Sequence, residues 1–117
     1  MKPKEIIKRA DLSKGFDKRG QELFFSIMVE ELITSYKAFG VEDSYRHFDA
    51  AIKCVRSKWD SISNKIPHGL TDGVWAYFYA SRIAPVKEKM CPTWKARNDA
   101  WVRKRDEKRA KREAKKH

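Results

Sequence analysis

Val41, Tyr45, Phe48, Ile52, Val55, Trp59, Ile62 and Ile66 follow one another at intervals of 4-3-4-3-4-3-4. Few patterns narrow the choice of fold more. A strand alternates its faces every two residues, whereas an apolar side chain recurring every 3.5 residues over more than three heptads marks a helix with a narrow buried stripe. Arg46, Asp49, Lys53, Arg56 and Asp60 decorate the outside with mixed charge. Glu42 and Asp43 fall where a helix N-terminus favours negative charge. The spacing therefore predicts a helix over 41–66.

A stripe of this kind needs a partner, and the preceding segment supplies one. In "DKRGQELFFSIMVEELITSYKAF", Phe24, Met28, Leu32, Tyr36 and Phe39 share a helical face, flanked by Phe25, Val29 and Ile33 and widened by Leu23 and Ile27. So broad an apolar arc belongs to a central helix touched from several sides. Asp17 is suited to the N-cap, and Gly40 to the left-handed residue just past the C-terminus. The two helices read as an antiparallel hairpin turned at Gly40, packed within one chain rather than as a dimeric coiled coil.

The main break is "NKIPHGLTDG", punctuated by Pro67, Gly69 and Gly73. Thr71 or Asp72 can cap the helix that follows, in which Trp75, Tyr79, Ile83, Val86 and Met90 keep helical spacing. Aromatic content alone allows "VWAYFYA" to be a strand, but no partner strand is visible, so helix is preferred. Pro85 lacks a donor and clashes with the preceding turn, which predicts a kink or stop near Ile83. Pro92 suits the first position of a last helix. Trp94 and Trp101, seven apart, share a face of that helix, and packing of both against the hairpin is the expectation. Anchoring then ends at Val102, since Ala110 and Ala114 are the only apolar residues beyond it.

The fold class expected is all-α: a single-domain helical bundle made of a hairpin core and a kinked third element, with a long basic C-terminal helix. A basic N-terminal arm (1–15) precedes the helical domain (16–102), and a basic helical tail (103–117) follows it. With 117 residues the chain is long enough for one real core. Its 37% charged residues stand well above the usual share of about 25%. Lys and Arg number 27 against 16 acids, a formal net charge of +11. A field of that sign attracts polyanions, nucleic acid first among them.

The excess is unevenly placed. From Val102 to His117 there are nine Lys and Arg against three acids, so the tail carries +6 of the total +11. Asp99 to Arg103 and Glu107 to Lys111 are i,i+4 pairs in the favourable acid-first order, so the tail can be helical without a core, fraying toward Lys116. Phosphate contact needs cations and makes no sequence demand. Insertion into a membrane surface needs an apolar face, which is missing from Arg103 onward. Arg103, Lys104, Arg105, Lys108, Arg109, Lys111 and Arg112 are the candidate phosphate contacts, with Lys95 and Arg97 extending the patch toward the body.

Catalytic chemistry leaves no comparable trace. There is no nucleophile elbow, no Gly-rich phosphate loop and no His-Glu pair at metalloprotease spacing. Glu30 and Glu31 are neighbours on a helix and point apart. His47 and Cys54 are seven apart, but two ligands do not make a zinc site, and His68 and Cys91 join them only if tertiary structure allows. Cys54 is expected beside the hairpin seam and Cys91 at a helix boundary. Trp75, Tyr77, Phe78 and Tyr79 resemble a base-stacking platform less than a core, because only Asp72 and His68 among residues 67–80 can carry charge. No catalytic residue, metal, cofactor or small-molecule substrate is expected.

No secretory signal is visible in the first residues, and the longest mainly apolar stretch, "LFFSIMV", is far short of a bilayer span. The expectation is a cytoplasmic protein with reduced thiols and no membrane partner. It would bind RNA or DNA largely without regard to sequence, as an accessory subunit of a nucleoprotein or ribonucleoprotein assembly with other protein subunits. The alternative is a protein–protein adaptor or inhibitor, such as a phage-type factor occupying a host enzyme, with Trp94 and Trp101 as interface anchors.

Overall fold

A computed structural model describes residues 1–67 and 69–115. The described residues form six α-helices and no strand: α1 Pro3–Arg9, α2 Lys18–Ala38, α3 Tyr45–Ser63, α4 Asp72–Phe78, α5 Ala84–Met90 and α6 Pro92–Lys115. A 3₁₀ turn at Leu12–Lys14 follows α1, and a π-helical turn at Tyr79–Ile83 joins α4 to α5.

Local chemistry explains most of these boundaries. The Asp17 carboxylate accepts the Gly20 N–H at 2.7 Å and so satisfies one of the free donors at the start of α2. Gly40 closes that helix at φ +67°, where a side chain is disfavoured. Thr71 caps α4 by accepting the Val74 N–H at 3.3 Å. At Pro85 the helix does not end. The turn before it widens, with the Ala84 N–H reaching back five residues to the Tyr79 carbonyl. A π turn of this kind lets the ladder pass a residue with no N–H, and α5 resumes at Ala84.

The seam helix is shorter than expected at both ends, and it stops at Ser63 rather than reaching Ile66. The seam helix starts at Tyr45, not Val41, because Asp43 adopts a left-handed φ of 50°. Its carboxylate is engaged by Thr93, which donates its N–H at 3.0 Å and its hydroxyl as well. Ser44 occupies the N-cap position, and its N–H donates to the Tyr36 hydroxyl at 3.0 Å. Val41 therefore lies outside α3, and Tyr45, Leu23 and Phe39 are exposed.

The core is a three-rod bundle. α2 and α3 run antiparallel: Tyr36 meets Phe48 at the turn end (centroids 5.3 Å), Glu31 pairs with Lys58 midway, and Phe24 meets Trp59 further along (5.2 Å). α4, the π turn and α5 form the third rod, antiparallel to α3. Trp75 and Phe78 lie against Trp59 (5.1 and 5.5 Å), and the Lys87 ammonium bonds Asp49 at 2.9 Å. Trp59, Phe24, Phe25 and Phe78 are all buried and form the aromatic centre of the bundle. In the segment read as an aromatic core, Phe78 does enter the core, whereas Tyr77 is exposed.

The first fifteen residues are folded in rather than loose. Ile6, Ala10 and Leu12 have no exposed surface, and Arg9 pairs with Glu30 of α2 at 2.9 Å. α6 is the opposite case. It is the longest helix, 24 residues or about 36 Å at 1.5 Å per residue, and none of its residues is buried. It leaves the bundle and accounts for the elongated outline of 58 × 37 × 20 Å.

Candidate nucleic-acid interface

α6 is tied to the body only at its beginning. Thr93 is held by Asp43. Trp94 packs half-buried at the edge of the core, with the Lys87 ammonium 4.3 Å from its ring centre. Lys87 is itself buried and bridges Asp49 on α3 to Trp94, so one side chain connects three helices and sets where α6 departs. Trp101, expected to pack beside Trp94, does not. It is 60% exposed, and the guanidinium of Arg105 lies over its ring, 5.2 Å from the centroid. The bundle does not extend as far along α6 as a second helical repeat.

Beyond Trp101 the helix carries its charges in an ordered way. At 3.6 residues per turn, Arg97, Lys104, Arg105, Lys108, Arg112 and Lys115 all project within about 60° of the Trp101 direction. Asp99, Asp106, Glu107 and Glu113 all lie more than about 110° away from it. Trp101, Lys104, Arg105 and Lys108 line one open groove on this side, and Arg105, Lys108, Arg109 and Arg112 line the next. One side of α6 is thus cationic with an aromatic ring at its base, and the other side holds the acids.

This geometry divides the nine cations picked out from sequence. Arg97, Lys104, Arg105, Lys108 and Arg112 come together on the cationic side, with Arg109 and Lys111 at its borders. Lys95 and Arg103 point to the acidic side. Lys95 is engaged by Asp99 at 3.2 Å and by Glu88 at 3.7 Å. The hydrogen bond to Asp99, then the two negative charges, raise the Lys95 pKa, so its proton is firmly held and its charge already answered. Asp99 is bonded by Lys95 and not by the expected Arg103, because Lys95 is equally one turn away and is drawn to the same spot by Glu88. Lys115 was missed. The signal for the sorting was nonetheless present: Asp99, Asp106 and Glu113 recur in steps of seven, as do Trp94, Trp101, Lys108 and Lys115.

Other candidate chemistry is not assembled. His47 is occupied with Ser44 (2.7 Å), Cys54 is exposed rather than beside the seam, and Cys91 is buried at the end of α5. Burial pushes the Cys91 thiol pKa up, the opposite of what a reactive thiol needs. Among the described residues no group of three or more His, Cys, Asp and Glu is placed to hold a metal ion; His68 lies outside them. No described helix is long and apolar enough to cross a membrane. Comparison of the chain with protein-family models, curated proteins and solved structures finds no match.

Proposed function

We propose that the protein binds nucleic acid without catalysing a reaction, contacting phosphates through the cationic side of α6 as an accessory component of a nucleoprotein or ribonucleoprotein assembly. The observation that carries this reading is the sorting of charge around a helix that leaves the body. A helix that only solubilises the chain has no reason to segregate its acids, whereas one that lies along a polyanion must turn them away. Phosphate contacts from such a face carry no base identity, so binding is largely independent of sequence. A compact, folded body at one end leaves a surface for other subunits of the assembly.

Salt dependence tests the proposal. Each phosphate neutralised adds roughly 0.7 to 0.9 to the slope of log K against log salt, so five engaged cations give a slope of about −3.5 to −4.5. Truncation after Val102 removes no buried residue among those described and should leave the body folded. It is expected to abolish most binding to generic nucleic acid at low salt. Equal binding by the truncated and full-length proteins would refute the role of α6.

The adaptor reading has one specific observation in its favour, the exposed Trp101, since aromatic anchors dominate many protein interfaces. Its neighbours Lys104, Arg105 and Lys108 restrict such a partner to an acidic surface.

A further inference from the structure

Three cation–π pairs occur among the described residues, and they differ in setting. Arg56 lies over Trp75 (4.7 Å) and Lys87 over Trp94 (4.3 Å), both at the edge of the packed bundle. The third, Arg105 over Trp101 (5.2 Å), lies wholly on α6, with both residues exposed. The indole is 60% exposed even with the guanidinium in place. A large apolar ring open to water is surface that a partner gains free energy by covering. The bundle does not cover it, and the side chains that share its groove are Lys104, Arg105 and Lys108. A partner suited to both the ring and these cations is flat and apolar enough to lie on an indole, and negatively charged along its length.

Resting on the nucleic-acid reading above, we infer that the occupant of this site is single-stranded nucleic acid, with one unpaired base stacked on Trp101 and the following phosphates carried by Lys104, Arg105, Lys108 and Arg112. A duplex satisfies only half of the site. Its phosphates suit the cations, but its bases are already stacked on one another and offer Trp101 no free face. An unpaired strand offers both, and any base can be the one that stacks, which keeps recognition independent of sequence. The distances fit a short segment. From Trp101 to Arg112 the helix rises about 16 Å, with the adjacent Lys104 and Arg105 about 4 to 6 Å above Trp101 and Lys108 and Arg112 following at steps of about 4 to 6 Å along the axis, so the contact spans a few nucleotides. Arg105 has two roles in this arrangement. It extends the stacking surface by lying on the indole, and it supplies charge to the adjoining phosphate.

The experiment is fluorescence anisotropy with labelled oligo-dT and oligo-U of about 15 nucleotides and a mixed-sequence duplex of the same length, each titrated at several salt concentrations. The proteins are wild type, Trp101→Ala, Trp101→Phe and the triple variant R105Q/K108Q/R112Q. None of these positions is buried, so the fold is not at stake, and circular dichroism checks that it is kept. Trp101→Ala should weaken single-strand binding roughly five- to hundredfold with the salt slope unchanged, leave duplex binding as it was, and be partly rescued by Trp101→Phe. A preference for dT or U separates DNA from RNA as the natural strand. If Trp101→Ala binds every probe like wild type, or loses affinity for strand and duplex equally, the stacking site is refuted while phosphate binding stands. If the triple variant binds like wild type, phosphate contact through α6 itself is refuted. If wild type binds neither strand nor duplex at low salt, both fall, and Trp101 belongs to a contact with an acidic protein.

Discussion

Glu31 shows how a single residue ties the hairpin together. Its carboxylate, mostly buried on α2, is paired with Lys58 of α3 and lies 3.4 Å from the amino group of Met1. Burial alone raises its pKa. The hydrogen bond and charge of Lys58, assisted by the amino group, outweigh that, and the net shift is downward. A carboxyl whose folded pKa is depressed binds its proton more readily in the unfolded chain, so it stabilises the fold at neutral pH. That contribution fades as pH drops below about 4.3 and through the lower folded value. Glu31→Gln should therefore cost about 1.5–3 kcal/mol near pH 7, the scale of a hydrogen bond to a charged group. Denaturant melts of wild type and variant should converge near pH 3; a difference that stays constant across that range contradicts the assignment.

At the scale of elements, α6 stands apart because two different forces hold its two ends. Its first turns are fixed to the body by Thr93 and Trp94. From Arg103 to Lys115 the helix is exposed throughout and persists on helix propensity: the expected Glu107–Lys111 pair is not formed, and Arg105 with its neighbour Asp106 (3.6 Å) is the ion pair found there among the described residues. Ala110→Gly should weaken that half by about 1 kcal/mol. The expected result is lower helicity by circular dichroism, with no change in the unfolding midpoint of the body. A shift in that midpoint indicates that the tail packs on the bundle after all.

The elements also show what was legible in the amino-acid order. Asp17, Gly40, Thr71 and Pro92 act through their immediate neighbours, so the helix ends they set could be read directly. Pro85 announced a distortion, although not that a π turn would absorb it. The start of α3 was misplaced because Asp43 answers to Thr93, fifty residues away, which no local pattern reveals. Ile6 and Leu12 were missed as core residues because two apolar side chains among charges carry no periodic signal. Trp94 and Trp101 look equivalent in sequence, and only the reach of the bundle separates the half-buried ring from the open one. The opposite sides of α6 were legible in the seven-residue step of its acids.

At the scale of the whole molecule, the radius of gyration of 18.0 Å exceeds the roughly 13 Å usual for a chain of this length. The difference reflects a compact bundle with a projecting charged helix. Residues 1–101 carry 18 basic and 13 acidic side chains, so a modest positive field surrounds the body while the strongest lies along α6. What matters in this account is where the charge lies on α6, and a pair of variants with equal charge loss isolates that. R105Q/K108Q removes two cations from the side that bears Trp101, and K95Q/R103Q removes two from the side that bears the acids. The measurement is the slope of log K against log salt for a single-stranded oligonucleotide. The account predicts that R105Q/K108Q flattens the slope by about 1.4 while K95Q/R103Q leaves it close to wild type. Equal flattening by the two variants would show that only net charge counts, and would contradict a dedicated binding face.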